Sequence, residues 1–406
     1  MIKKITRSVL EKHHFWRYAS FDELIELYVS NMLRAVAANL FSVFVPIYML
    51  GSGYEVRVIA LYYVLYFVIR MFGDLLSGFV VSKIGPKHTW IFSHLCNIVT
   101  LVLLLGIESS PAMFWVSAVF NGLSTSFQHL PLHVDFSKIK HQEHNGKEQG
   151  FFMMLEKVGS AVGPILGGFI AATYAPSFTI IASIIIYVIS LIPLLSTPEP
   201  VRTRQHITFK NFPFKKVKRD IITHCLRGID TTVTAGMWPI FLALAVFKGS
   251  AYESVGFAST VAIIVALFSA YLFGRMIDNR HPVLVLRATT IINALLHGSR
   301  IFAGSLLHVI GINITNEVVY TGSVMAYNKG MYAAADDLPG YRIAYFTLME
   351  FISEFAKISI WISLALLTFL VDDITALQIC FGAAGLLVLG VMLERFKALR
   401  PREYRR

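Results

Sequence analysis

Charge is scarce in this chain of 406 residues: only 15% are Asp, Glu, Lys or Arg, while 55% are apolar and 31 are Phe. A soluble globular chain carries roughly 25% charged and about 45–50% apolar residues. The excess apolar surface here cannot be hidden in a water-soluble core, so lipid must be the solvent for most of it. That excludes a disordered tail, a secreted disulfide scaffold and an ordinary cytosolic enzyme. Cysteine is scarce too. Cys96, Cys225 and Cys380 lie far apart inside apolar runs, and without a CxxC spacing neither a structural zinc site nor a disulfide framework is expected. A phosphate-cradling G-x-x-x-x-G-K-[ST] loop is missing, so an ion or solute gradient rather than nucleotide hydrolysis is the expected energy source. An unbroken signal core is missing as well, because Lys3, Lys4, Arg7, Lys12 and Arg17 interrupt the first stretch. Residues 2–18 read either as a basic amphipathic helix on the bilayer, with Ile2, Ile5, Val9 and Trp16 toward lipid, or as a solvated cytoplasmic tail.

Long apolar runs are what the chain has. About 20 apolar residues in a helix cross the hydrocarbon, and the sequence offers such stretches at 26–49, 56–81, 89–107, 112–135, 150–174, 177–196, 221–246, 254–276, 282–304, 305–328, 343–370 and 373–394. Only Gly304 and Ser305 separate the ninth from the tenth. The formal net charge is +11, but the basic residues fill short connectors between apolar runs, which argues for membrane orientation and against nucleic acid. With both termini inside, the outer loops hold only Arg57 and Lys248, an asymmetry that places termini and linker in the cytoplasm. The expected organisation is a cytoplasmic segment 1–25, a six-helix bundle 26–196, a basic linker 197–220, a second six-helix bundle 221–396 and a basic cytoplasmic tail 397–406.

The two halves read as copies. Leu33-Arg34 precedes Pro46-Ile47-Tyr48, and Leu226-Arg227 precedes Pro239-Ile240-Phe241, with twelve residues from arginine to proline in each case. Asn97 matches Asn293, and Leu155-Glu156 resembles Met349-Glu350. Two halves in the same orientation place a substrate path at their interface, near mid-membrane.

These features resemble the major facilitator superfamily of secondary transporters. After the second span stands Gly78-Phe-Val-Val-Ser82-Lys83-Ile-Gly85-Pro-Lys87, similar to the family's G-x-x-x-D-R-x-G-R-K loop with Ser82 at the acidic position. The second half keeps the acid, as Gly274-Arg275-Met-Ile-Asp278-Asn-Arg280. The fifth span supplies Gly159, Gly163, Pro164, Gly167 and Gly168, similar to the G-x-x-x-G-P-x-x-G-G motif of the family's antiporters. Glycines four apart let another helix approach closely, and a mid-helix proline bends the helix, so a packing and hinge element is the expected role. The drug/proton antiporters' R-x-x-Q-G is replaced by Ala118-Val-Phe-Asn121-Gly122. Proton antiport is therefore not implied by default.

Ionisable groups at mid-bilayer need a partner, a water-filled cavity or a function. Glu317 sits at the centre of the tenth span with Asn313, Asn316 and Thr321 near its face; it either pairs with a base to hold helices together, or binds a substrate cation or carries a proton. Arg227 and Asp230 share a face of the seventh span, with Thr231 and Thr234 nearby. Arg34 is the repeat counterpart of Arg227, and both lie about 9–12 Å inside the cytoplasmic boundary. Glu350, Glu354 and Lys357 form a strip on the eleventh span, where the last two can neutralise each other; Arg70 and Asp74 do the same on the second. Arg34, Arg227, Arg70, Asp74, Glu350, Glu354, Lys357, Asp278 and Arg280 are thus gating or structural charges. His129 and His133, with Asp135, His141 and His144, have metal-like spacing, but Pro131 distorts it and a polar helix end is the reading.

The sequence is read as an all-α integral membrane protein of twelve transmembrane helices in two pseudo-symmetric bundles. It is expected to be a monomer in the cell membrane moving a small organic solute by alternating access, including proton-coupled efflux, without catalysis, metal or cofactor. The resemblance implies that spans one, four, seven and ten line the cavity. Candidate substrate contacts are Asn39, Asn121, Gln128, Asp230, Thr234, Asn313 and Glu317, with Glu317 and Asp230 as unneutralised proton-coupling acids. A lipid or amphiphile flippase, or a non-transporting partner or sensor, remains an alternative use of the scaffold.

Overall fold

The computed structural model describes residues 21–139, 145–195, 209–247, 251–278 and 281–400. Residues 1–20 of the N-terminal segment, 196–208 around the linker and 401–406 of the tail lie outside it. Its first half holds α1 (Phe21–Phe41, continued by a 3-10 turn Ser42–Phe44 and a short helix Val45–Gly51), α2 (Val56–Ile84), α3 (Pro86–Leu104), α4 (Pro111–Ile139), α5 (Asn145–Thr173) and α6 (Pro176–Leu194). The second holds α7 (Phe214–Thr232, continued through Val233–Met237, Trp238–Phe241 and Leu242–Val246), α8 (Ala251–Asp278), α9 (Pro282–Arg300), α10 (Leu306–Asp336), α11 (Arg342–Leu367) and α12 (Asp373–Val388, closing in a 3-10 turn Leu389–Leu393). No strand occurs among the described residues.

Local chemistry sets the boundaries. Pro86, Pro176 and Pro282 open α3, α6 and α9, where a missing N–H costs nothing. Gly85 joins α2 to α3 at φ +90°, a conformation that favours glycine. The narrow break between the ninth and tenth spans is real. The Ser305 hydroxyl caps α10 by accepting from the His308 backbone N–H. One boundary departs from expectation: α7 begins at Phe214, inside the stretch read as linker. Lys215, Lys216, Lys218 and Arg219 are exposed on its first turns while Val217 is buried, so a basic helix end projects beyond the apolar run. At the same end, α10 runs on past residue 328 to Asp336.

Among the described residues, seven helical stretches are long and apolar enough to cross a membrane. Large apolar side chains such as Phe72, Phe169, Phe268, Leu295 and Leu386 point outward, as they must when lipid is the solvent.

Packing repeats between the halves. In the first, α1 packs on α5 and α6, α2 on α4, and α3 on α4 and α6; in the second, α7 packs on α11 and α12, α8 on α10, and α9 on α10 and α12. Adding six to each helix number turns one set into the other. Two seams join the bundles, α2 against α11 and α5 against α8. Exchanging every helix for its counterpart converts one seam into the other.

Short connections make consecutive helices antiparallel, so the bundle has a basic end, carrying Lys83, Lys87 and the start of α7, and a far end, carrying the α1–α2, α7–α8 and α11–α12 connections. At the far end the bundles touch through aromatic side chains. Tyr63 stacks on Trp361 at 4.3 Å, the rings of Phe44 and Tyr252 lie 5.5 Å apart, and the Arg57 guanidinium sits 3.9 Å from the Phe369 ring. The repeat-equivalent prolines also leave a shared mark. A 3-10 turn precedes Pro46 in α1, and a π-helical turn precedes Pro239 in α7, because the i→i−4 ladder cannot run through a residue without an N–H.

Candidate functional site

Asp230 on α7 and His297 on α9 are 67 residues apart in sequence but 2.8 Å apart at Oδ1 and Nε2. Arg300, one turn along α9, reaches the His297 Nδ1 at 2.9 Å, the Thr234 hydroxyl at 2.9 Å and the Asn316 side-chain Oδ1 at 2.7 Å. An arginine only donates, so His297 Nδ1 must accept; its Nε2 then carries the proton and donates to Asp230. A neutral imidazole thus bridges a buried guanidinium and a buried carboxylate, and the three groups sum to zero charge. His297 and Arg300 are both wholly buried. Trp238 lies beside them: its ring faces the guanidinium at 5.5 Å, and its indole N–H donates to Asn313 Oδ1 at 2.9 Å. Thr234, Asp230 and Asn313 therefore belong to one network within the second bundle.

Glu317 does not join it. Its carboxylate accepts from Lys157 Nζ, on α5 of the other bundle, at 2.5 Å. The Lys157 ammonium also lies 5.7 Å from the Tyr320 ring centroid. About a quarter of the Glu317 side chain is exposed (26%), so this pair is not sealed inside the protein. Neither acid is the bare carboxylate expected from the sequence, since each finds a partner on another helix. Arg227, instead of facing Asp230, lies over the Tyr327 ring at 4.1 Å.

In the first bundle, Asn39 donates to the Ser160 hydroxyl and the Ala35 carbonyl, both at 2.9 Å. Asn121 donates to the Tyr62 hydroxyl at 3.5 Å, and Gln128 is half-buried on α4. Arg34 donates to Asn31 and to Glu156, the latter at 2.9 Å. The repeat counterpart of Glu156 is Glu350, which meets His224 of α7 at 3.4 Å. Across the α2–α11 seam, Arg70 reaches Glu350 at 3.2 Å and Glu354 at 3.3 Å, while Lys357 holds Glu354 at 2.7 Å. Asp74 lies buried one turn along α2.

The glycines of α5 face two helices. A Cβ on Gly159, Gly163 or Gly167 would run into the α1 backbone at Met32, Asn39 or Leu40, and one on Gly168 would meet the Tyr252 carbonyl of α8, beside Gly256. Pro164 turns its carbonyl toward Gly256. Gly78 is buried on α2, and Gly85 makes the turn noted above. The side chains of Asp278, Arg280, His129, His133, Asp135, His141 and His144 lie outside the described residues.

Lys157, His224, His297 and Arg300 are the charged or titratable members that the sequence reading passed over. Lys157 and Arg300 are basic residues deep inside apolar runs, and His297 stands three residues before Arg300 on the same face; that was the signal available.

A comparison with curated protein sequences finds no match. Among solved structures, the chain is similar to a variant of the nucleoside transporter NupG, at TM-score 0.67 and 12% identity, covering 91% of this chain and 98% of that one. It is similar also to the E. coli fucose:proton symporter FucP, at TM-score 0.63 and 12% identity, covering 92% and 99%. The family model of the Major Facilitator Superfamily matches residues 27–358. With two six-helix bundles, two interchangeable seams and a match over most of its length, the chain belongs to the Major Facilitator Superfamily.

Proposed function

We propose that the chain carries a small polar organic solute across the cell membrane by alternating access, with Glu317 and Asp230 exchanging protons during the cycle. The observation that carries this reading is the Lys157–Glu317 ion pair, which crosses from one bundle to the other and is partly exposed. A proton on Glu317 removes the charge that holds Lys157, so protonation loosens a contact between the halves. Asp230 is held by the His297 Nε2–H, so a proton that reaches its carboxylate must displace that hydrogen bond. Facing groups for the solute are Asn39, Asn121 and Gln128 on one bundle and Asp230, Thr234 and Asn313 on the other. Hydrogen-bonding groups and a tryptophan suit a ring bearing hydroxyls or ring nitrogens, and the similar structures are titled as transporters of nucleosides and of fucose with a proton.

On the positive-inside pattern the basic end is read as cytoplasmic, and the ring contacts at the far end then lie on the outer side. The glycine motif of α5 favours efflux against protons, whereas the similar FucP is a symporter. Proteoliposomes with opposed pH gradients decide between these directions. Purified protein is reconstituted and tested with nucleosides and sugars. Accumulation driven by a pH gradient is expected, and Glu317→Gln abolishes it while the protein stays folded. Uptake and pH dependence unchanged in Glu317→Gln refute the role.

A further inference from the structure

Arg227 stands on α7 about two turns past the exposed basic residues that end with Arg219. Its half-buried guanidinium has no hydrogen-bond or ion-pair partner among the described residues. What it has is the Tyr327 ring, 4.1 Å away. Stacking on a ring holds the plane of a guanidinium and leaves its N–H edges free. Arg34, Arg70 and Arg300, also within spans, are all bonded to acceptors. Duplication supplies the comparison. Arg34 keeps an acid, Glu156. The repeat counterpart of that acid, Glu350, has turned to Arg70 and His224, which leaves Arg227 without one. An ionised side chain within a span pairs with another or marks the path of a solute.

The surroundings of Arg227 point the same way. Tyr320 on α10 is exposed, and its hydroxyl has no hydrogen-bond partner among the described residues. The charges of Arg227 on α7, of Lys157 and Glu156 on α5 and of Glu317 on its own helix all reach that hydroxyl, so it lies where the two bundles face each other. Around it the charges close in pairs, Arg34 with Glu156 and Lys157 with Glu317. Among these described groups, Arg227 is the positive charge left over.

We propose that the solute carries an acid group, a carboxylate or a phosphate, which Arg227 and the Tyr320 hydroxyl bind; this rests on the transport reading above and narrows its substrate to an organic anion. A guanidinium fork matches two oxygens of either group, and the phenol adds a further donor. Asp230 and Thr234 follow Arg227 by three and seven residues, one and two turns farther along α7. The polar body of the solute therefore has contacts beyond its acid end. Asp230 does not oppose an anion there, because it is tied to His297 and balanced by Arg300.

The test is isothermal titration calorimetry on the full chain in detergent, at constant ionic strength and about pH 7.5, where carboxylates and phosphates are ionised. Glucuronate and glucose 6-phosphate are compared with glucose, and UMP with uridine. At least one acid is expected to bind about tenfold or more tighter than its neutral parent, the size of one charge-assisted hydrogen bond. Which acid wins distinguishes carboxylate from phosphate. Arg227→Gln removes the preference for the acid, Arg227→Lys retains part of it, and Tyr320→Phe weakens acid binding several-fold. If Arg227→Gln does not fold by gel filtration, Arg227→Lys and Tyr320→Phe decide. No acid bound more tightly than its parent overturns the proposal. Acid binding that survives Arg227→Gln belongs to the exposed lysines of the basic end and overturns it as well. Uptake is measured separately in proteoliposomes. Acid binding through Arg227 without proton-driven uptake refutes the transport reading and leaves the acid site standing; proton-driven uptake of neutral solutes with no preference for acids refutes the acid site alone.

Discussion

Lys157 and Glu317 stand on different bundles, on α5 and α10, and their charged atoms are 2.5 Å apart. The pair is a bond between two bodies rather than a brace within one. Both partners are mostly buried, so Coulomb attraction acts in a medium less screening than water. A contact of this kind is strong when made and is lost once either charge is neutralised.

Replacing Lys157 by Met leaves Glu317 without its counter-charge and removes the tie. Proton-driven transport is expected to fall at least tenfold, with a modest loss of stability of about 1–3 kcal/mol. The exchanged pair Lys157→Glu with Glu317→Lys restores the melting temperature toward wild type. A double variant no more stable than either single one would show that the pair does not bind the bundles.

Arg300 serves three acceptors from a wholly buried position. Arg300→Leu removes the charge that balances Asp230 and strands the three acceptors His297, Thr234 and Asn316, at an expected cost of about 3–5 kcal/mol. Arg300→Lys keeps the charge but not the planar fork, so it rescues only part of the loss. Thermal unfolding in detergent measures both. A melting temperature within a degree of wild type for Arg300→Leu would mean the network contributes nothing to the fold.

Two glycines make a matched pair of opposite sign. A Cβ at Gly167 collides with the Leu40 carbonyl, whereas one at Gly311 meets nothing within 4 Å. Gly167→Ala is expected to force α1 off α5 and lower the melting temperature by several degrees. Gly311→Ala, on a helix surface, is expected to add up to about 1 kcal/mol through helix propensity. Equal behaviour of the two substitutions would contradict the close packing of α1 on α5.

Asp372 caps α12 outside the spans, accepting from the Thr375 N–H at 3.0 Å and the Thr375 hydroxyl at 2.7 Å. These hydrogen bonds to its charged form hold its pKa below the ordinary aspartate value. The cap's charge-dependent stabilisation is then full above about pH 4 and fades as pH falls through the lowered value. The gap between wild type and Asp372→Ala should be constant from pH 5 to pH 8 and shrink below. Asp372→Asn, a neutral cap, should show no such closing in a series of melting curves.

The span count and the duplication were legible because they are written in single-chain patterns. Arg34 with Pro46 and Arg227 with Pro239 repeat at one offset, and the 3-10 and π turns fall just before those two prolines. Glu354 and Lys357 were visible as neighbours because three residues on one helix share a face. Partners on different helices were not. Arg70 meets Glu350 across 280 residues, and nothing in helical periodicity says which helices will touch. The early start of α7 was hidden for another reason: Lys215, Lys216, Lys218 and Arg219 read as connector, yet they are the wetted side of a helix anchored by Val217.

Duplication should have made the two joints between bundles alike, but they diverged. One is bare main chain, Gly168 against Gly256; the other is a rack of opposite charges, Arg70 and Lys357 against Glu350 and Glu354. The first seam holds no charge to separate, and the second is tied by ion pairs. Parting the second seam means separating ion pairs and parting the first does not, so the α2–α11 side resists separation of the halves more.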